Sequence, residues 1–176
     1  MRRSIILSLV IAAFFANVTM GAIQWKVEDG GNGHYYEAVT VPGITFNDAK
    51  IDAAIQKGYL VTITSQAEQD FITSQVIRDG FGYRIGGFQP AGSPEPDGNW
   101  QWVTGEAFEY TNWHSGEPNN QLTFGGEDTI VVWTGNQWND GPGSYNHYEG
   151  YILEIVPQPA TILILGLGAA IARNRM

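Results

Sequence analysis

Apolar residues dominate both ends of the chain, from Ile5 to Ala16 and from Ile162 to Ala172, while the stretch between them alternates short apolar runs with polar turns. His34-Tyr35-Tyr36-Glu37-Ala38-Val39 is rich in aromatic and β-branched residues and predicts a strand. Thr45-Phe46-Asn47-Asp48 has capping-box spacing and predicts a helix running to about Gln56, ended by Gly58. Leu60-Val61-Thr62-Ile63 predicts a strand, and Ser65-Gln66-Ala67-Glu68 a second capped helix to about Ile77. The second half changes character. Trp100–Val103, Thr129–Trp133 and Gly150–Ile155 predict short strands. Between the first two lies a polar loop from Thr111 to Gly126, longer than the roughly 12–15 residues at which structureless connections become rare. Trp113 and Pro118 within it argue for an ordered, functional loop. Helices early and short strands late give an α+β domain.

Composition narrows the function. The chain has 176 residues, one domain's worth, and carries 18 acidic against 9 basic residues. All the acids lie between Glu28 and Glu154, whereas Arg2, Arg3, Arg173 and Arg175 sit at the ends, so the body holds five basic residues against 18 acidic ones. Such a surface repels phosphates and argues against nucleic-acid partners; it favours cations. Cysteine is absent, which excludes disulfides, thiolate metal sites and cysteine nucleophiles. His34, His114 and His147 are scattered and match no metal-ligand spacing.

The ends are read as addresses. Residues 1–21 have a basic start and a short apolar run, the pattern of a secretory signal peptide. Residues 157–176 combine Pro157-Gln158-Pro159, an apolar run and a terminal Arg173-Asn174-Arg175. This segment resembles the bacterial PEP-CTERM sorting signal, with Gln158 where that family has Glu. The resemblance implies export, transient membrane insertion of the C-terminal segment, processing by an exosortase-like enzyme, and a final location that is secreted or at the bacterial cell envelope. Residues 22–156 remain as the folded domain.

The chemistry concentrates in and after the long loop. Glu117, Asn119, Glu127, Asn139 and Asp140 offer three carboxylates and two amide carbonyls. Hard oxygen donors without sulfur or imidazole suit calcium, which takes about 6–8 oxygens in flexible geometry, better than magnesium with its tight octahedron. Glu117 and Asn119 flank Pro118, and a cis Glu117–Pro118 bond would aim both at one point. Asn139 and Asp140 are neighbours, so sharing an ion requires Asp140 to lie where its strand ends, before Gly141-Pro142-Gly143.

Trp113-His114-Ser115-Gly116-Glu117-Pro118-Asn119-Asn120, Gly126-Glu127-Asp128 and Trp138-Asn139-Asp140 together resemble the C-type lectin domain, in its mannose-type form. His34-Tyr35-Tyr36, Ile85-Gly86-Gly87 and Trp100-Gln101-Trp102-Val103 agree, so the resemblance spans about residues 33–156. It implies two helices and two small antiparallel sheets with a long calcium-binding loop. It implies one calcium at Glu117, Asn119, Glu127, Asn139 and Asp140, with a sugar's vicinal hydroxyls bound to the ion and to Glu117, Asn119, Glu127 and Asn139. A second calcium site would draw on Asp97, Asn120, Glu127 and Asp128. Family members usually carry two disulfides; here Thr129 and Leu153 occupy cysteine positions, and Ala53 or Ala54 another. Trp100, Trp102, Trp113, Trp133 and Trp138 fall at family core positions, which argues against a sugar-stacking role.

The implied function is calcium-dependent binding of mannose- or glucose-type sugars of a glycan or exopolysaccharide. A lectin-like adhesion domain with purely structural calcium and no sugar binding competes with it, as does a glycosidase. The complete ligand set favours sugar binding, and the absence of a nucleophile–base arrangement argues against an enzyme.

Overall fold

The computed structural model describes residues 21–77 and 82–158. The signal-peptide reading of residues 1–21 and the sorting reading of 157–176 therefore fall almost wholly outside the described residues.

Both predicted capping residues cap helices. The Thr45 hydroxyl accepts from the Asp48 N–H at 3.2 Å and donates to the Asp48 carboxylate at 2.7 Å, opening α1 (Phe46–Ile55). Ser65 accepts from the Glu68 N–H at 3.2 Å, opening α2 (Gln66–Phe71), which continues as a π turn over Ile72–Val76. The end of α1 differs from the expectation. Lys57, with φ 63°, makes the left-handed turn. Gly58 serves close approach instead: a Cβ there would come within 2.3 Å of the Glu154 carbonyl oxygen.

The strands are β1 (Ile23–Gln24), β2 (Tyr35–Thr40), β3 (Tyr59–Leu60), β4 (Tyr83–Phe88), β5 (Gln101–Trp102), β6 (Thr129–Val132), β7 (Trp138–Gly141) and β8 (Gly150–Ile155). They form two antiparallel groups. β8 pairs with β2 and β3, and β2 with β1. β4 pairs with β5 and β6, and β6 with β7. The expected two sheets are joined by a short parallel pairing of β4 with β8, Tyr83 opposite Gly150 and Arg84 opposite Tyr151. That junction makes one ladder network of eight strands in the order β1-β2-β8-β4-β6-β7, with β3 and β5 attached to β8 and β4.

Two apolar clusters hold the network. One packs α1, through Phe46, Ala49 and Ala53, against Leu60, Tyr151, Leu153 and Ile155. Of the two alanines read as standing for a family cysteine, Ala53 is buried in the same cluster as Leu153, while Ala54 is exposed. The other cluster is aromatic. Trp138 is fully buried at its centre, edge-on to Trp102, Tyr110 and Trp113. Its indole N–H donates to the Gln69 amide oxygen at 2.7 Å, which ties α2 to β7.

The same tryptophan anchors the long loop. Its backbone N–H donates to the Asn112 carbonyl at 2.7 Å, and its carbonyl accepts from the His114 N–H at 2.8 Å. The loop is thus clamped to β7 immediately before Glu117, which places the predicted ligands beside those that β7 carries.

Candidate metal centre

The Glu117–Pro118 bond is cis. After it, the backbone N–H groups of Asn119 and Asn120 both donate to the Asp140 carboxylate, at 3.1 and 2.7 Å. Asp140 is fully buried in β7, opposite Ile130. β7 continues through Gly141, so Asp140 is not the strand's last residue as the sequence suggested. Its neighbour Asn139 is half-buried and donates its side-chain amide to the Asp140 carbonyl oxygen. That bond uses one of the two amide N–H groups and leaves the second N–H and the Asn139 carbonyl oxygen for a ligand.

Glu127 closes the other side. Its Oε2 accepts from the Gln121 N–H at 2.8 Å, and its own N–H donates to the Asn120 side-chain oxygen at 2.9 Å. The loop therefore wraps from Glu117 to Glu127 around two buried carboxylates, each fixed by loop backbone N–H groups. Gly126, with φ 99°, turns the chain into Glu127.

The electrostatics of this arrangement crowd three carboxylates together. Burial pushes the Glu117 carboxyl up to about 7, reinforced by its close approach to the Asp140 carboxylate and by the charges of Asp140 and Glu127. Burial also raises Glu127, against the Gln121 N–H that lowers it, and the Asp140 charge raises it further. The Glu117 Oε2 is buried without a hydrogen-bond partner, a costly state that a metal ion relieves. Among the described residues, no group of three or more His, Asp or Glu side chains closes a cage by itself. Oxygen donors of this kind fit calcium.

The residues named for a second ion lie differently. Asn120 and Asp128 line a cavity of about 560 Å³ together with Glu95 and Glu127. Both side chains already serve the backbone: Asn120 accepts from Glu127, and Asp128 accepts from the Gly143 N–H at 2.8 Å. Asp97 is exposed and is not among the residues lining this cavity.

Sequence reasoning missed one residue that shapes the site. Arg84 is fully buried in β4. Its Nε donates to the Ile44 carbonyl at 3.0 Å, and its guanidinium also reaches the carbonyls of Pro142 and Tyr145 and the Thr129 hydroxyl. It lies over the Tyr148 ring, 4.7 Å from the centroid. Arg84 thereby pins the segment that follows Asp140. Thr129 relays the hold by donating to the Gly141 carbonyl at 2.7 Å. An isolated Arg between Tyr83 and Ile85 was the available signal. Trp133 also departs from expectation: it is 46% exposed rather than in the core.

Comparison with known proteins agrees with this fold. The Lectin C-type domain family matches residues 43–149. Halomucin of Haloquadratum walsbyi is 31% identical over 141 residues, 70% of this chain but 1% of that protein. Hepatic lectin of Gallus gallus is 30% identical over 138 residues, 77% of this chain and 59% of that one. The chain thus spans less than two thirds of these relatives. Among solved structures, the C-type lectin domain of murine dendritic cell inhibitory receptor 2 in complex with N-glycan superposes with a TM-score of 0.59 at 28% identity, covering 70% of this chain and 91% of that domain. The human scavenger receptor C-type lectin carbohydrate-recognition domain gives 0.60 at 26% identity, covering 72% and 94%. With its fold, its loop and its family match in agreement, the chain belongs to the C-type lectin domain family of binding domains.

Proposed function

We propose that this protein is a calcium-dependent carbohydrate-binding module that takes mannose- or glucose-type sugars. The observation that carries the reading is the Glu117 carboxylate oxygen, buried without a hydrogen-bond donor among the charges of Asp140 and Glu127, in the loop that also carries Asn119. Glu117, Asn119, Glu127, Asn139 and Asp140 would hold the ion. A bound calcium offers coordination positions to two vicinal hydroxyls of a sugar ring. The protein's own part is the hydrogen-bond pattern around those hydroxyls. Carboxylates at 117 and 127 accept, and the amides of Asn119 and Asn139 donate. Acceptors and donors in that order suit the equatorial 3- and 4-hydroxyls of mannose, glucose and N-acetylglucosamine. The solved lectin domain with bound N-glycan supports a glycan as the partner class.

The test is glycan-array binding in calcium and in chelator. Binding to mannose- or glucose-type glycans that chelator abolishes supports the reading. Calcium binding with no glycan binding would transfer support to an adhesion role with structural calcium. We further propose export by residues 1–21 and display at a bacterial cell envelope or exopolysaccharide through residues 157–176, processed by an exosortase-like enzyme. Deleting 157–176 should release the protein into the medium, and unchanged partitioning would refute that proposal.

A further inference from the structure

The tryptophans of this chain differ in exposure. Trp100, Trp102 and Trp138 are 7%, 2% and 0% exposed, whereas Trp133, just past β6, leaves nearly half its surface in water. Its indole is nonetheless held. It packs edge-on to Tyr148, with centroids 5.9 Å apart at 81°, and a Cβ on Gly82 would come within 2.7 Å of it. Tyr148 is fixed in turn by Arg84 over its ring and by Tyr145, 5.1 Å away and edge-on. An exposed aromatic clamped in one orientation has already lost the freedom that binding would otherwise cost.

These rings wall a cleft of about 170 Å³ that is also lined by Gln121, Glu127, Pro142 and Asn139. Glu127 and Asn139 belong to the candidate ion set as well, so the cleft adjoins that centre directly. Aromatic walls with a few polar groups are the ordinary make-up of a small-ligand site. A pyranose has the matching chemistry: an apolar face of C–H groups for the indole and phenol rings, and hydroxyls at its edge for the Gln121 amide. Resting on the carbohydrate-binding reading above, we propose that Trp133, Tyr145 and Gln121, backed by the buried Tyr148, form a second sugar subsite. It takes the residue next to the one held at the ion, so that the protein reads an oligosaccharide rather than a terminal monosaccharide.

The experiment titrates full-length protein at saturating calcium with methyl α-mannoside and with an α-linked mannotriose, followed by calorimetry and tryptophan fluorescence. The wild type should bind the trisaccharide about tenfold more tightly than the monosaccharide, a gain of the size that aromatic contacts supply. The trisaccharide alone should change the fluorescence of the exposed indole. Trp133→Ala should erase the gain and leave monosaccharide affinity as it was; Trp133→Phe should keep part of it. Thermal melts of the variants establish that they are folded. Several results would overturn the subsite alone: no gain in the wild type, a gain that survives in Trp133→Ala, or equal loss for both sugars in that variant. Failure of the wild type to bind either sugar in calcium would overturn the carbohydrate reading itself, and the subsite with it.

Discussion

Replacing Arg84 by Met tests whether a buried cation does the work that disulfides do elsewhere in this family. The guanidinium has no surface in contact with water, and burial pushes its pKa down to about 10. Among the described residues no carboxylate lies within ion-pair distance of it; its partners are carbonyl and hydroxyl oxygens and the Tyr148 ring. Methionine removes the donors at similar length. The Pro142 carbonyl keeps another donor, the Tyr145 N–H at 3.0 Å, but the carbonyls of Ile44 and Tyr145 lose Arg84. Two buried or half-buried acceptors left short cost about 1–3 kcal/mol each. Part is returned because a guanidinium no longer has to be desolvated. A net loss of about 3 kcal/mol is expected, or roughly 10 °C in Tm for a domain of this size. Lysine should fall between, since it keeps the charge but cannot span the same acceptors. Scanning calorimetry at saturating calcium reads the effect, and a parallel calcium titration should show weaker binding in Arg84→Met, because the segment after Asp140 loosens. A Met variant that melts within about 2 °C of wild type would refute the reasoning. The segment would then be held by packing alone, and the buried charge would be replaceable, as buried ion pairs in some proteins are.

Three further outcomes are expected. Calcium should raise the melting temperature of the full chain substantially and magnesium far less, because an ion bound only by the folded state stabilises it by mass action; equal melts in calcium and chelator would contradict this. His34 sits 2.6 Å from the buried Glu154, which raises its pKa above 6.5 chiefly through that hydrogen bond, with the Glu154 and Glu68 charges adding. That stabilisation is complete below 6.5 and lost as pH rises through the folded-state pKa. Burial raises Glu154 too, which acts in the same direction. Stability at saturating calcium should therefore fall between pH 6 and pH 8, and His34→Gln should flatten that slope, as denaturant titrations at each pH can measure. Exchanging Glu117→Gln with Asn119→Asp moves the carboxylate across the site while keeping the number of acids. Monosaccharide competition at saturating calcium should then shift at least tenfold from mannose toward galactose, given about 1.5–3 kcal/mol for each charge-assisted hydrogen bond.

Local chemistry was the legible part of this chain. Thr45 and Ser65 announce their helices because a capping hydroxyl needs only the next few residues, and both cap as expected. The Glu117-Pro118-Asn119 and Trp138-Asn139-Asp140 segments could be read because each ligand pair is contiguous. What brings the pairs together is not contiguous. The clamp of Trp138 on Asn112 and His114 and the Asp140 carboxylate under Asn119 and Asn120 each join residues about 20 or more apart. No periodicity marks such contacts. Trp133 was misplaced for a different reason. The resemblance put it at a core position, whereas it directly follows a run, Thr129 to Val132, that is buried throughout, and is itself 46% exposed.

Buried polar groups explain how the fold manages without cysteine. Arg84 and Glu154 both interrupt apolar strands, and each collects chain segments that no strand ladder reaches. Arg84 gathers the turn before α1 and the segment after β7. Glu154 accepts from the Thr62 N–H at 3.0 Å and pairs with His34, while Glu68 accepts from Tyr36 and the Thr64 N–H. The two groups act near two of the positions that the resemblance assigns to cysteine: Arg84 touches Thr129 itself, and Glu154 directly follows Leu153. A disulfide constrains the unfolded chain as well as the folded one. Hydrogen bonds to a buried charge act only in the folded state and only while every partner is in place. The proposed ion site is held by one of these networks, through Arg84, Thr129 and Gly141, the residue after Asp140. Calcium binding and the ordering of the Pro142–Tyr145 segment are therefore expected to reinforce each other, which is why the Arg84 variants should be read in stability and in calcium affinity together.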